Sequence, residues 1–346
     1  MPSRILVVRL SALGDVVLAQ PAIQALKAHL SDAQITWLID ERFRSVADAV
    51  PGIEVMAISK PKMFGDYRRL WRELNLRNFD AVLAMQANFR VNLLYAGIRA
   101  KRKIGFDRRR ARDFHRWFVN ETIEPRDEHL FDGFAQFAQR LGVPRIAAPE
   151  TWPAIPVDAA TATAWRERRP AGRYVVVHAG ASKVERCWPP ERYAELARKF
   201  ATETRVSVVL TGGRSASEEA SAKAFLHFAP ESLNLCGQTS LTQLQQIIAE
   251  ASAVISPDTA AVHLARARGV PVIGLYAVAR AELSGAYRAN EYTVDKYAEA
   301  VRSFAGRDPA KVDWHFRVHD DRAMNLITAD EVWAKLQTAL SRPAIS

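Results

Sequence analysis

One carboxylate, Asp15, occupies a position where acid–base chemistry is common. It follows the apolar run at residues 5–8 and the segment Ser11-Ala-Leu-Gly14, and an apolar-periodic stretch begins at Val16. This order predicts a strand, a tight turn and a helix. Because ligands of open α/β sheets bind beyond the carboxyl ends of strands and near helix N-termini, Asp15 is a candidate general base. Helix capping, the commonest use of Asp at such a turn, is an equally good interpretation.

A loop with the composition of a phosphate-binding segment lies between His178 and Pro189. The small residues at 179–182 would let the backbone approach a ligand, and Ser182 adds a hydroxyl group. Lys183 and Arg186 add positive charge. Surface loops often carry such a pair of cations, so an ordinary surface loop is the alternative.

The segment Ser256-Pro-Asp-Thr259 joins a second buried strand to a second predicted helix. Backbone N–H groups at Thr259 and Ala260 could hold an anion at the start of that helix. His263 falls one turn later, on the same face as Thr259. The alternative is that Asp258 is only the N-cap and His263 only a packed histidine.

Glycines at strand ends give two further indications. Thr211-Gly-Gly213, followed by Glu218 and Glu219, predicts another strand-end loop with a carboxylate placed to accept sugar hydroxyls. The first turn has one glycine where a dinucleotide-binding fingerprint needs three, and it lacks the Gly-Lys-Ser/Thr of a P-loop. A nicotinamide-dependent dehydrogenase is therefore disfavoured.

The chain carries a net charge of +10, which calls for an anionic partner. Much of the excess is local, at Arg99, Lys101, Arg102, Lys103, Arg108, Arg109, Arg110 and Arg112. Such a cluster suits an anionic membrane surface or a phosphorylated substrate, and a solvated basic face is the alternative. Nucleic acid is disfavoured because no zinc-finger spacing, aromatic RNA-binding strand or helix-turn-helix signature accompanies the charge.

Metal and thiol chemistry find little support. Cys187 and Cys236 are too few for a disulfide framework or a structural zinc site, and neither belongs to a Cys-x-x-Cys pair. His115, His129, His315 and His319 are scattered along the chain. No Asp-x-Asp pair follows a strand. We therefore expect no metal site.

Strand and helix patterns alternate in both halves of the chain and must position these residues. Strands are predicted at residues 5–8, 35–39, 54–58, 81–84, 103–106, 174–178, 206–210, 253–256 and 272–276. Helices are predicted at residues 16–30, 43–49, 65–75, 90–96, 132–141, 190–202, 217–229, 241–251, 259–268 and 329–340. This alternation implies two mostly parallel sheets with helices on both faces.

A length of 346 residues suits two domains, and three prolines between residues 147 and 156 indicate a linker. We expect an N-terminal Rossmann-like domain at 1–165, a C-terminal one at 166–328, and a terminal helix at 329–346 packing back towards the N-terminal domain. No apolar run approaches the roughly 18 residues of a membrane span. Arg9 and Asp15 interrupt the only signal-like run, so a cytoplasmic protein is expected.

Together these motifs resemble the heptosyltransferases of lipopolysaccharide inner-core synthesis, within glycosyltransferase family 9. The marks are Arg9-Leu-Ser-Ala-Leu-Gly-Asp-Val-Val17 with Pro21-Ala22, Ile104-Gly-Phe106, Glu128-His129, Arg186-Cys-Trp-Pro189, Ser256-Pro-Asp-Thr259 with His263-Leu264, and Gly274-Leu-Tyr276. Their order and spacing over nearly the whole chain make the resemblance specific.

The resemblance implies a GT-B fold, with two Rossmann-like doubly wound domains facing a central cleft. It implies inverting, metal-independent transfer of heptose from ADP-L-glycero-D-manno-heptose to Kdo of Kdo-lipid A, with Asp15 as the base. The implied donor-binding residues are Ser182, Lys183, Arg186, Glu218, Glu219, Thr239, Asp258, Thr259, Ala260 and His263. The implied acceptor-binding residues are Ser11, Gly14, Arg108, Arg109 and Arg110.

The sequence departs from the family pattern at two positions. Arg186 stands where the family usually has Lys, and Ala260 stands where Gly is commoner. Arg keeps the positive charge but is not a neutral replacement, so Lys183 is an alternative contact for the diphosphate.

The basic cluster would dock the anionic acceptor or the inner leaflet of the cytoplasmic membrane, as expected of a peripheral enzyme. Three alternatives stay open. The first is a family 9 enzyme with another sugar or acceptor, the second a non-catalytic protein that binds sugar nucleotides or lipids. The third, a nucleotide-sugar epimerase, would normally need the missing dinucleotide fingerprint.

Overall fold

In the computed structural model, which describes residues 2–146 and 152–341, the chain divides into two units between Pro156 and Val157. The division falls at the predicted linker, whose residues 147–151 lie outside the described residues. It comes before the expected boundary at 165/166 because a helix at Ala159–Arg168 belongs to the second unit. Its Trp165 donates to the Glu250 carboxylate over 3.0 Å and packs edge-on against Tyr174.

The first unit contains one parallel six-stranded sheet with helices around it. Its elements are β1 (Arg4–Val8), α1 (Leu13–His29), β2 (Gln34–Asp40), α2 (Arg44–Asp48), β3 (Glu54–Ile58), α3 (Phe64–Asn75), β4 (Ala81–Ala84), α4 (Phe89–Gly97), β5 (Arg102–Gly105), β6 (Glu121–Thr122) and α5 (Leu130–Gln139). The strand order is β3-β2-β1-β4-β5-β6, with Ile5 in register with Ile35 on one side and Ala81 on the other. Single 3₁₀ turns lie at Glu41–Phe43 and His115–Trp117.

The second unit repeats this arrangement. Its elements are α6 (Ala159–Arg168), β7 (Tyr174–His178), α7 (Pro190–Glu203), β8 (Ser207–Thr211), α8 (Ala216–Phe228), β9 (Leu233–Asn234), α9 (Leu241–Ala249), β10 (Ala253–Pro257), α10 (Ala260–Ala267), β11 (Val272–Tyr276), α11 (Ala281–Ser284), β12 (Val294–Asp295), α12 (Tyr297–Ala305) and α13 (Ala329–Ser341). The order β12-β11-β10-β7-β8-β9 is the same topology. Single 3₁₀ turns lie at Val184–Arg186 and Ala323–Leu326.

Each sheet reverses its strand order at one place, between β1 and β4 in the first unit and between β7 and β10 in the second. At such a switch point the connections leave in opposite directions and open a crevice at the carboxyl ends of the strands. The apolar residues of the strands on either side are buried, as the apolar runs predict for parallel strands covered on both faces. The switch points are therefore where binding residues are expected.

The predicted α/β class is confirmed, and the deviations have simple causes. The strands β6, β9 and β12 were missed because each is two residues long and lies at or near a sheet edge, where no apolar run is needed. The predicted terminal helix forms as α13 and packs on α7, with Trp333 edge-on to Phe200 at 5.1 Å. It belongs to the second unit, and its packing towards the N-terminal domain stays a prediction; residues 342–346 of the predicted segment lie outside the described residues.

Within the described residues, none of the helices combines the length and the apolar character needed to cross a membrane.

Candidate functional sites at the switch points of the two sheets

Asp15 is not a helix cap. The helix α1 begins at Leu13, its N-cap is Ala12, and no side chain caps it. The Asp15 carboxylate instead forms an ion pair with the guanidinium of Arg9, which follows β1. The Arg9 side chain is 10% exposed and that of Asp15 28% exposed. The carboxylate therefore reaches solvent at the switch point while a largely buried cation holds it in place.

Arg9 is itself fixed from two sides. Its Nη1 donates to the Met85 carbonyl, just after β4, over 2.5 Å. The guanidinium lies 5.0 Å from the ring centroid of Phe134 on α5. Charge-assisted bonds of this kind give a carboxylate a defined orientation. The Arg9–Asp15 pair is therefore a rigid feature of the crevice between β1 and β4.

Two residues that sequence reasoning missed complete this site. The Gln86 amide oxygen accepts the N–H groups of Leu10 and Ser11 over 2.8 and 3.2 Å. Lys60 Nζ donates to the Ser11 hydroxyl over 2.8 Å. Gln86 lies just beyond β4 and Lys60 just beyond β3, so the strand-end rule that selected Asp15 would have found both. Gly14 is the second residue of α1, beside this network.

A cavity of about 210 Å³ adjoins the Ser11 network. Its lining residues are Leu10, Lys60, Pro61, Gln86, Asn88, Arg90, Val91 and Leu94. Lys60 also lies 3.6 Å from the Asp40 carboxylate, whose pKa the hydrogen-bonded Arg42 guanidinium holds below its usual range. With two cations and two side-chain amides, the cavity suits a small anionic group such as a carboxylate.

The three arginines predicted to bind the acceptor have different environments. Arg110 is nearly buried: it pairs with Asp107 and with Glu128 at 3.0 Å. Arg109 pairs with Asp127 at 2.8 Å, and Arg108 is exposed. The acceptor role of Arg110 stays a prediction, but its charge is paired with carboxylates inside the protein. Arg108 is the member whose charge faces solvent.

Charge reversal should separate these roles. We expect Arg110→Glu to destabilise the first unit by about 3–5 kcal/mol, because it places a carboxylate beside two buried carboxylates. Arg108→Glu should leave the free energy of unfolding within about 0.5 kcal/mol of wild type. Denaturant unfolding of both variants measures this difference. Equal stability of the two would contradict the structural assignment of Arg110.

In the second unit, Arg186 joins the two loops that flank the switch point. Its Nη1 donates to the Asp258 carbonyl over 3.1 Å and to the Asp258 carboxylate over 3.0 Å. Its Nη2 donates to the Ser182 hydroxyl over 3.0 Å. Lys183, in contrast, is exposed. The loop after β7 thus presents one solvent-facing cation and one that organises the site.

Thr259, not Asp258, is the N-cap of α10. The Thr259 hydroxyl accepts the Ala261 N–H over 3.2 Å and lies 2.9 Å from the Ser256 hydroxyl. The alternative role of Asp258 as the cap is therefore wrong, since its carboxylate pairs with Arg186. Ala260 is the first residue of α10, and His263 is buried one turn further along.

Glu218 organises the glycine loop after β8. Its carboxylate accepts the N–H groups of Gly213 and Ser215 over 2.6 and 3.0 Å, in a capping box with Ser215. Burial raises the pKa of Glu218, but these hydrogen bonds outweigh burial and leave it below its usual range. Gly180 has φ +81° and a Cβ there would collide with Glu218. Glu218 thus holds two loops in contact.

Glu219 and Thr239, the other two residues predicted to bind the donor, lie outside the network formed by Ser182, Arg186 and Asp258. Glu219 is exposed and lines a groove along α8 with Lys223, His227 and Cys236. Thr239 is half-buried, directly before Ser240, the N-cap of α9.

Burial raises the pKa of Cys236 to about 12, which disfavours the reactive thiolate. Among the residues described, no three His, Cys, Asp or Glu side chains are grouped to hold a metal ion.

Comparisons with known proteins agree on one family. Residues 67–311 match glycosyltransferase family 9 (heptosyltransferase). The lipopolysaccharide core heptosyltransferase OpsX of Haemophilus influenzae is 30% identical over 97% of this chain and 96% of its own. Lipopolysaccharide heptosyltransferase 1 of Escherichia coli K12 is 25% identical, covering 83% of this chain and 92% of its own.

Solved structures show the same fold. A glycosyltransferase family 9 protein from Veillonella parvula superposes with a TM-score of 0.77 at 20% identity, over 98% of this chain and 97% of its own. The E. coli heptosyltransferase WaaC with ADP gives a TM-score of 0.71 at 21% identity, over 97% and 99% of the two chains. The predicted GT-B type of fold, built from two Rossmann-like units, is confirmed by this similarity.

Proposed function

Since this chain belongs to glycosyltransferase family 9, the heptosyltransferases, we propose that it transfers heptose from ADP-L-glycero-D-manno-heptose to Kdo of the lipopolysaccharide inner core. One observation carries this proposal: a solvent-reaching carboxylate, Asp15, follows the first sheet's switch-point strand β1, while in the second sheet an exposed cation, Lys183, follows β7 and the N-terminus of α10 follows β10. The first suits proton abstraction, and the second suits a diphosphate.

We assign the donor to the second unit. The exposed Lys183 and the N-terminus of α10 at Ala260 supply positive charge for the diphosphate. Ser182 and Asp258, fixed by Arg186, shape the pocket around it. The solved complexes of WaaC with ADP and with ADP-2-deoxy-2-fluoro heptose support a nucleotide sugar as ligand.

We assign the acceptor to the first unit. The cavity beside Ser11, with Lys60 and Arg90, would receive the Kdo carboxylate. The exposed residues Arg108 and Arg109 would meet phosphate groups of lipid A. Such an acceptor is anchored in the inner leaflet of the cytoplasmic membrane, so we place the enzyme at that surface.

The proposed reaction uses these residues as follows. Asp15 accepts the proton of the acceptor hydroxyl while the oxygen of that hydroxyl bonds to the anomeric carbon of the heptose. The bond from that carbon to the diphosphate oxygen breaks on the opposite face, so ADP departs and the configuration inverts. The transition state is oxocarbenium-like, and in-line positioning with stabilisation of the departing charge lowers the barrier. Lys183 and the α10 N-terminus supply that stabilisation, so we propose that no metal takes part.

The test is transfer by the purified full chain from ADP-heptose to Kdo-lipid A in the presence of EDTA, followed by mass spectrometry. We expect a product heavier than the acceptor by one heptose residue. Binding of ADP-heptose without transfer to Kdo-lipid A would direct the search to another acceptor. Absence of both donor binding and transfer would overturn the proposal and favour a different nucleotide sugar.

A further inference from the structure

The exposed large hydrophobic side chains are concentrated at one edge of the first unit. Among the described residues these side chains are Met63, Phe64, Phe89, Phe114, Trp117, Leu76 and Val184. The first five are 59–78% exposed and follow β3, β4 and β5 at their carboxyl ends, the edge that also carries Asp15. We call these five the aromatic rim. Single exposed hydrophobic residues are ordinary, but a cluster on one edge indicates an interaction surface.

Hydrogen bonds of Asn92 and Asp113 hold the part of the rim after β4 and β5 in place. The Asn92 amide donates to the carbonyls of Arg112 and Asp113 over 3.1 and 2.8 Å. The Phe89 N–H donates to the Asp113 carboxylate over 2.9 Å. His115, buried below, lies 2.8 Å from Asn92 through Nδ1. The loop after β5 and the start of α4 are therefore tied together, and both present aromatic rings to solvent.

The backbone conformation of the loop after β5 also holds aromatic rings at the surface. Asp113 and Phe114 have φ values of +52° and +63°, a left-handed conformation that is unfavourable for a bulky side chain such as Phe. The ring of Phe114 stacks on Trp117 with centroids 4.8 Å apart. An unfavourable backbone that exposes a stacked pair of aromatic rings points to function rather than to packing.

Positive charge surrounds the rim. The exposed cations on the same connections and helix starts are Lys62, Arg68, Arg69, Arg90, Arg108, Arg109, Arg112 and Arg116. The nearby carboxylates Asp113 and Asp127 are engaged, the first by the Phe89 amide and the second by Arg109. Aromatic rings interleaved with arginine and lysine match the headgroup region of an anionic bilayer, where rings insert and cations meet phosphates.

We propose that the aromatic rim docks the first unit on an anionic lipid bilayer, with the Asp15 edge towards the headgroups. This inference rests on the proposed function, because only a lipid-anchored acceptor requires the catalytic edge to meet a membrane. The charge of the surroundings selects anionic over zwitterionic lipid. The predicted basic cluster contributes through its exposed members, while Phe89, Phe114 and Trp117 supply the insertion that charge alone lacks.

The first test is sedimentation of the full chain with vesicles of phosphatidylcholine alone or mixed with phosphatidylglycerol. We expect binding to the anionic vesicles, weakened by salt. The double variant Phe114→Asn, Trp117→Gln should bind at least about tenfold more weakly. Asn tolerates the left-handed backbone at 114, and the exposed Leu76→Gln is the matched control that should bind like wild type.

A second readout keeps the two proposals distinguishable. Transfer to a soluble, deacylated Kdo acceptor should be equal in wild type and the double variant, because the rim does not contact the reacting atoms. If wild type does not transfer heptose to the soluble acceptor but binds anionic vesicles through the rim, the proposed function is refuted and membrane docking by the rim is supported. Equal vesicle binding by wild type and the double variant, or self-association of wild type without vesicle binding, would refute the proposal that the aromatic rim docks on a membrane.

Discussion

Asp15→Asn is expected to lower the rate of heptose transfer by about a thousandfold, within the range for loss of a general base. The amide keeps the shape of the side chain but cannot accept the proton of the acceptor hydroxyl. Affinity for ADP-heptose should be unchanged, because the donor is assigned to the second unit. Steady-state transfer to Kdo-lipid A and calorimetric titration with ADP-heptose measure the two quantities.

Asp66 provides a matched control for this variant. It occupies the equivalent place in the first turn of α3, but its carboxylate accepts the N–H groups of Lys62 and Met63 over 3.0 and 3.1 Å. Asp66→Asn keeps an oxygen that can accept these bonds, so it should change stability little and leave transfer to a soluble acceptor intact. Transfer by Asp15→Asn within about tenfold of wild type would remove Asp15 from the base role.

Lys183→Ala and Arg186→Ala should both weaken ADP binding but differ in their effect on stability. Removing the exposed Lys183 should weaken ADP binding by about tenfold or more, the loss of one charge-assisted hydrogen bond, without changing stability. Removing Arg186 leaves the Asp258 carboxylate, only 11% exposed, without its partner. We expect a loss of about 3 kcal/mol in the free energy of unfolding together with weaker ADP binding. Denaturant unfolding and calorimetry with ADP separate the two cases.

The double variant Arg186→Ala, Asp258→Ala tests the physical reason. It removes both charges of the pair, so it should recover part of the stability lost in Arg186→Ala while ADP binding stays weak. If Lys183→Ala binds ADP like wild type while Arg186→Ala loses binding at unchanged stability, the two roles are exchanged. In that case Arg186 is the diphosphate contact and Lys183 a surface residue.

Much of the fold could be predicted from local pattern. The strands β1, β4, β7 and β10 are short apolar runs followed by small or polar residues, and in the structure they are the central strands of the two sheets. Because the carboxyl ends of parallel strands share an edge, the order of elements also predicted which residues would lie at that edge. Asp15, Lys183 and Asp258 were found this way.

The errors fall where local pattern carries no information. Lys60 and Gln86 were missed because each looks like an ordinary polar residue until β3 and β4 are placed beside β1. The aromatic rim was missed because Phe114 and Trp117 resemble core residues by type. Their exposure is a property of the loop conformation, which Asn92 and Asp113 fix from other segments.

By itself, the sequence determined the class of fold, the two-unit organisation and which polar residues follow the central strands, because strand and helix periodicity are properties of neighbouring residues. Only the tertiary structure decided which charges are neutralised internally and which face solvent. Arg110 and Arg108 are equivalent in the sequence, as are Arg186 and Lys183. Glu128, the partner of Arg110, lies 18 residues further along the chain, and Asp258, the partner of Arg186, lies 72 residues further along. Burial and pairing depend on such distant contacts, so folding alone distinguishes a structural cation from a binding one.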